Sequence, residues 1–380
     1  MGPLHGLKIV EMAGIGPGPV AAMLLADMGA TIIRIDRKEP SGLGLPRPIE
    51  FDVALRNRKS IRVDLKETAG RELVLDLVSR ADALIEGFRP GVLERLGLGP
   101  DVCLARNPKL VYGRVTGWGQ DGPLAHAAGH DINYIALTGV LHAIGRRDHA
   151  PTVPLNVIGD YGGGSLYLAL GMLAALLEAR TSGKGQVVDA AIVDGVASLM
   201  SVLVGLRQGG MMTGERGTNL LDSGAPFYDV YECADGKYIS IGSIEPKFYR
   251  QLLELIGVNG AALDDRDDPR NWPQMRETFV AAFRKKTRAE WTALLEGTDA
   301  CFAPVMSIEE AHEHPHLKAR GTYVDVAGVR QPAPAPRFSR TPSAMPQPPT
   351  ALNTDNATDA LRAWLPERDI ETLRSAGVFC

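Results

Sequence analysis

The distribution of apolar and polar residues changes character twice along the chain. Up to about residue 210, short apolar runs alternate with longer stretches in which apolar residues recur three or four apart. The runs at 7–12, 31–36, 83–86, 110–115 and 186–190 predict strands, and the stretches at 20–28, 67–79, 166–180 and 193–207 predict helices. Runs without internal alternation belong to strands covered on both faces, so this rhythm predicts a mainly parallel sheet between helical layers. The last two helices are apolar nearly all round, which implies burial against the sheet, a partner subunit, or both.

After a Gly/Met/Thr-rich loop the pattern becomes that of a different unit. Alternating runs at 228–233 and 238–242, separated by Asp235-Gly236, predict a hairpin, and helices follow at 246–256, 273–286 and 289–296. From 326 to 356 prolines are dense and periodicity is lost, as in a strap laid over another surface. The tail, 358–376, reads as two short helices broken at Pro366, with an apolar face (Leu361, Trp364, Leu365, Ile370, Leu373) that needs covering. The expected organisation is α/β: a large domain at 1–210, a small inserted α+β domain at 222–325, and a strap with C-terminal helices at 326–380 that returns to the large domain.

A chain of 380 residues exceeds one typical core, in keeping with two domains. A net charge of −4 excludes a general nucleic-acid or acidic-membrane binder, so any basic site for a phosphorylated ligand must be local. The four cysteines, Cys103, Cys233, Cys301 and Cys380, form no close pair, which argues against a disulfide framework and against metal-ligand spacing. No basic segment followed by an apolar one opens the chain, and no apolar run reaches about 18 residues without a charge or turn signal. The expectation is a reduced, cytoplasmic protein with no metal and no membrane span.

Local basic sites do exist. Gly14-Ile15-Gly16-Pro17-Gly18-Pro19 lies between the first strand and helix, but its prolines spoil the dinucleotide fingerprint. Either phosphate contact or close strand–helix packing explains it. Arg37-Lys38 stand just past the second strand, before a Pro/Gly loop at 39–52. Leu55-Arg56-Asn57-Arg58-Lys59-Ser60 adds three cations, and Arg89 follows the strand at 83–86. Ligands of open α/β sheets bind beyond the carboxyl ends of the strands, so together these cations predict one phosphate-rich ligand. Each taken alone reads as solvated surface charge.

Chemistry concentrates between residues 129 and 165. Gly129-His130-Asp131-Ile132-Asn133-Tyr134 opens this stretch and Gly159-Asp160-Tyr161-Gly162-Gly163-Gly164-Ser165 closes it. His130 and Asp160 are both proton carriers, and the glycine run before a long helix would let a ligand approach the backbone near a positive helix end. Apart from each other, His130 reads as a structural histidine and Asp160 as a helix cap. Glu245, in Ile244-Glu245-Pro246, is a third candidate: a carboxylate able to orient an imidazole, or one at the first turn of a helix.

With these segments the chain resembles the α-methylacyl-CoA racemases, a branch of the family III (formyl-CoA transferase-like) CoA-transferases. The resemblance runs nearly end to end, and Gly87-Phe88-Arg89-Pro90-Gly91 also belongs to it. It implies a large Rossmann-like domain with a parallel sheet, an inserted small domain and a homodimer whose two chains interlock. It also implies that His130 and Asp160 act on opposite faces of a substrate α-carbon and that Glu245 partners the histidine. Coenzyme A, part of the substrate thioester rather than a separate cofactor, would meet Arg37, the segment Leu55, Arg56, Asn57 and Arg58, Arg89, and the backbone of Gly129, Asp131, Ile132, Asn133 and Tyr134.

Thioester α-protons are weakly acidic, so their removal needs a base in reach and stabilisation of the enolate oxygen. One base would return the proton to the face it left, whereas two on opposite faces allow inversion. On this reading neutral His130 takes the proton, protonated Asp160 delivers one opposite, and amides near Asp160 stabilise the enolate. Met200, Met211 and Met212 give either a permissive acyl surface or core. The alternatives are a family III CoA-transferase with Asp160 as acyl-accepting nucleophile, a non-catalytic acyl-CoA-binding protein and, last, a nicotinamide dehydrogenase.

Overall fold

A computed structural model describes residues 2–39 and 42–380, the side chains of 261 and 262 left aside. Two residues of the loop expected at 39–52, Pro40 and Ser41, therefore lie outside the described residues. Six parallel strands form the main sheet: β1 (Lys8–Met12), β2 (Thr31–Asp36), β3 (Lys59–Arg62), β4 (Ala83–Glu86), β5 (Val111–Thr116) and β6 (Gln186–Ala191). Their order, β3-β2-β1-β4-β5-β6, is that of a doubly wound Rossmann sheet. The order reverses between β1 and β4, where such sheets leave a crevice at the carboxyl ends of their strands.

Successive strand residues face opposite sides of the sheet and feed two cores. Val10, Ile33 and Leu84 pack on one side with helix Thr68–Ser79 and with Leu361, Trp364 and Ile370 of the tail, so the tail's apolar face is covered as expected. Ile9, Ile32 and Ile85 pack on the other side with helices Pro17–Asp27 and Tyr167–Ser182.

Strand β3 departs from the sequence expectation, which took its first residues for loop cations. It is an edge strand whose one neighbour among the described strands of the sheet is β2, and so carries polar residues that an apolar-run criterion passes over. The glycine run also differs. Val157–Leu166 is ten residues of π-helix continuing into helix Tyr167–Ser182 rather than a turn. Its glycines serve packing. A side chain at Gly163 would strike Val196, one at Gly164 would strike Pro17 and Ile192, and Gly195 of the crossing helix Ile192–Leu199 lies directly against the Gly163 carbonyl. The glycine run therefore admits a helix, not a ligand. By length and composition the continuous helix Val157–Ser182 could cross a membrane, but half of its most apolar stretch is buried inside the molecule.

The chain divides into two compact units. The first takes in residues up to Thr138, Leu155–Leu199 and Lys318–Cys380, and the second Gly139–Pro154 and Met200–Leu317. The excursion at 139–154 thus goes with the second unit, and the boundaries fall at Leu199 and Leu317 rather than near 210 and 325. The second unit holds a three-stranded antiparallel sheet, Tyr228–Glu232, Tyr238–Gly242 and Phe302–Pro304, with helices Pro246–Ile256 and Trp272–Phe283 around an aromatic-rich core. The Pro-rich strap opens with a hairpin, Tyr323–Val326 and Val329–Pro332, absent from the sequence reading.

That hairpin helps bury a charge. Arg56 donates to Asp27 through Nε at 3.0 Å, to Gln331 Oε1 at 2.9 Å and to the Pro332 carbonyl. The guanidinium and the Asp27 carboxylate are almost fully enclosed. Breaking such a pair from one side strands the other charge in the interior. Asp27→Ala is expected to lower the unfolding free energy by about 3–5 kcal/mol, read as a fall in the urea midpoint followed by circular dichroism.

Candidate active site

His130 stands at the head of the short helix Asp131–Leu137. The local sequence fixes it there: its N–H donates to Asn133 Oδ1 at 3.0 Å, and the Asn133 N–H returns a bond of 2.8 Å to the His130 carbonyl. Tyr134 anchors the preceding turn by donating to the Gly129 carbonyl and setting its ring edge-on to Trp118, with centroids 4.8 Å apart. Gly129 must be glycine, because a Cβ there would meet both rings. The imidazole itself is exposed in the first unit.

Asp160 lies in the first turn of the π-helical segment, half-buried. Asn156 donates Nδ2 to its Oδ2 at 3.3 Å, and the Ser165 hydroxyl is within reach of the carbonyls of Asp160 and Pro17. Burial holds the Asp160 carboxyl above its ordinary range, and the negative charge of Asp131 adds to that, while the Asn156 bond and the positive charge of His130 pull the other way. His130 and Asp160 are thus close enough to couple electrostatically. The glycine-rich loop closes over the same carboxylate: Gly16 has φ +67°, and a Cβ there would lie 3.4 Å from Asp160 Oδ2. Of the two explanations of that loop, close packing is realised, and it shapes the site as well.

Asp131 plays a part that the sequence did not reveal. Its side chain is buried, and Oδ1 accepts the Asp160 N–H at 2.7 Å. The Asp160 amide is engaged by Asp131, so it is not free to receive an enolate oxygen as expected. The Asp131 side chain faces the protein interior rather than a ligand.

The cations divide into two sets. Arg56 is locked into its pair with Asp27. Arg58 is as deeply buried, with Nε 3.1 Å from Glu11 Oε2 and a 2.7 Å bond to the Pro19 carbonyl. Asn57, at φ 61°, donates to Asp27 and exchanges backbone and side-chain bonds with Gln347. The guanidinium groups expected to meet a phosphate here instead bind the protein, because their partners Asp27 and Glu11 lie on neighbouring elements. Leu55 ends a 3-10 turn and is half-buried. Arg37 and Arg89 remain exposed at the carboxyl ends of β2 and β4, the former 5.7 Å from the Phe88 ring centroid. Arg89 is near enough to Tyr134 to affect its hydroxyl, whose pKa burial raises to about 12. Ile132 and Asn133 are exposed beside His130.

Glu245 belongs to the second unit, where it is exposed at the head of helix Pro246–Ile256 and its carboxylate makes no capping bond. The three methionines left between two readings, Met200, Met211 and Met212, are outside the buried core of that unit. Gly16, Asn156 and Ser165 went unrecognised as shapers of the site, since nothing in their local sequence points at Asp160.

Comparison with known proteins places this geometry in context. Residues 4–356 match the model of CoA-transferase family III. The chain is 43% identical over 341 residues to the α-methylacyl-CoA racemase of Mus musculus and 42% identical over 347 residues to that of Homo sapiens, covering 90% of this chain and 87% of each relative. Among solved structures, that of a CAIB/BAIF family protein from Brucella suis superposes with a TM-score of 0.82 at 27% identity, covering 95% of this chain and 99% of the other.

An aspartate whose pKa is higher folded than unfolded costs stability above its folded pKa, and the cost disappears as pH falls towards the unfolded value of about 3.9. Asp160→Asn is therefore expected to raise the melting temperature at pH 7, with the gain shrinking as melts are repeated at lower pH towards 4.

Proposed function

The chain belongs to CoA-transferase family III, and we propose that it is an isomerase that inverts the α-carbon of 2-methylacyl-CoA thioesters by 1,1-proton transfer through an enolate. The observation that carries this reading is the placing of two proton carriers, His130 and a half-buried Asp160, each at the head of a helix in one unit, with burial raising the proton affinity of Asp160. The extent of identity to two α-methylacyl-CoA racemases supports the substrate class.

In one direction neutral His130 takes the α-proton while protonated Asp160 delivers one to the opposite face, and in the other direction the roles exchange. A raised pKa suits Asp160 to this, since both its forms must be accessible near neutral pH. The positive ends of the two helices face the developing negative charge. Glu245 is the carboxylate that the family resemblance pairs with the histidine, as an orienting group for an imidazole. Arg37 and Arg89 bind phosphates of the coenzyme A moiety, and the segments around Leu55 to Arg58 and Gly129 to Tyr134 line its path with backbone rather than with the guanidiniums of Arg56 and Arg58. The working form is an interlocked homodimer in the cytoplasm.

A 2-methylacyl-CoA incubated with the protein in heavy water is expected to gain deuterium at the α-carbon without any acceptor acid. His130→Ala and Asp160→Ala should each lower the rate of inversion by about 10²–10⁴, and Glu245→Gln should lower it less. Acyl transfer to a free acid, with hydroxylamine capturing an acyl group on Asp160, would overturn the reading in favour of a transferase.

A further inference from the structure

Helix starts leave backbone N–H groups without intrahelical partners, and a side chain of the capping residue usually accepts one of them. The π-helical segment Val157–Leu166 lacks that device: Asn156, its capping residue, makes no side-chain bond to the backbone and instead donates to Asp160 Oδ2. The acceptor comes from elsewhere in the sequence, 29 residues back, through Asp131 Oδ1 at 2.7 Å from the Asp160 nitrogen. Gly159 makes room for it, since a Cβ at that position would lie 2.3 Å from the same oxygen. The other oxygen, Oδ2, is buried and has no hydrogen-bond partner among the described residues.

We propose, on the basis of the racemase reading above, that Asp131 is the positioning residue of the site: its carboxylate clamps the backbone amide of Asp160 and fixes where Asp160 meets the substrate α-carbon. One oxygen acts as the acceptor that the helix start lacks. The other carries charge that the local bonding does not require. Near a second carboxylate, that charge favours the protonated form. The groups set around Asp160 are Asp131 and His130 from the helix at 131–137 and its head, Asn156 from its own segment, and the uncharged Gly16 loop, with Tyr134 and Arg89 next beyond. Asp131 is the one carboxylate among them. The Asp131 side chain reaches no ligand on this account; it acts through Asp160.

The two functions separate in two variants. Asp131→Asn keeps the acceptor for the Asp160 amide and removes the charge, whereas Asp131→Ala removes acceptor and charge alike. With each variant first shown to be folded by its thermal melt, kcat and kcat/KM for inversion are measured against pH in both directions. In Asp131→Asn the limb governed by Asp160 is expected to move to lower pH, with kcat nearly restored where Asp160 is protonated. In Asp131→Ala, kcat should fall about tenfold or more with little change in KM, because the carboxylate is no longer held in place. An unmoved limb in folded Asp131→Asn, or parental kcat in folded Asp131→Ala, would overturn the proposal. If Asp131→Ala does not fold, Asp131→Asn decides. A ¹³C carboxylate titration of Asp160 in parent and Asp131→Asn gives the same test without turnover: the midpoint must fall in the variant. A parent that takes up no α-deuterium defeats the racemase reading instead, and the titration still decides whether Asp131 governs Asp160.

Discussion

Strand β6 lies along β5 through six residue pairs, from Val111 with Gln186 to Thr116 with Ala191, and this pairing closes a long excursion of the chain. Everything between the two strands leaves the sheet at Thr116 and must return to Gln186 in register. His130 and Asp160 both lie within that excursion, so the distance between them is set by how it packs on its way back. The way back is helical: ten residues of π-helix run into helix Tyr167–Ser182, which lies across the sheet face built by Ile9, Ile32 and Ile85. A wide π-helical start would be costly if left open. Here the crossing helix Ile192–Leu199, seated at Gly163, and the carboxylate of Asp131 fill and cap it.

The two candidate residues are held by backbone as much as by side chains. His130 is fixed through the bonds its main chain exchanges with Asn133, and Asp160 through its amide. Burial then does the rest for Asp160, raising its proton affinity without any partner that would consume the proton.

What could be read from the sequence followed from how each element is buried. The strands at 31–36 and 83–86 stood out because both of their faces are covered, and they lie at the expected residues. Strand β3 did not, because an edge strand can carry Lys59, Ser60 and Arg62. His130, Asp160 and Glu245 were recognisable as residue types in glycine- and proline-marked segments. The fates of Arg56 and Arg58 were not, because a guanidinium reads alike in sequence whether it faces water or a buried carboxylate far away along the chain. The glycines at 162–164 suggested a ligand for the same reason: a missing side chain shows that something comes close and does not say what.

The enclosure of Arg56 has a consequence for how the protein is made. Its guanidinium needs Gln331 and Pro332, and its neighbour Asn57 needs Gln347, while the strand that follows is tied at Arg62 to the backbone of Cys380. These partners are translated 275 residues or more after the residues they meet. A nascent chain emerging from the ribosome therefore carries the β2–β3 edge with a charge that has nowhere dry to settle and an edge strand still unlatched. The sheet is begun before the second unit is made and finished only after it. Throughout that interval the cell holds a partly built sheet whose missing pieces have yet to be made.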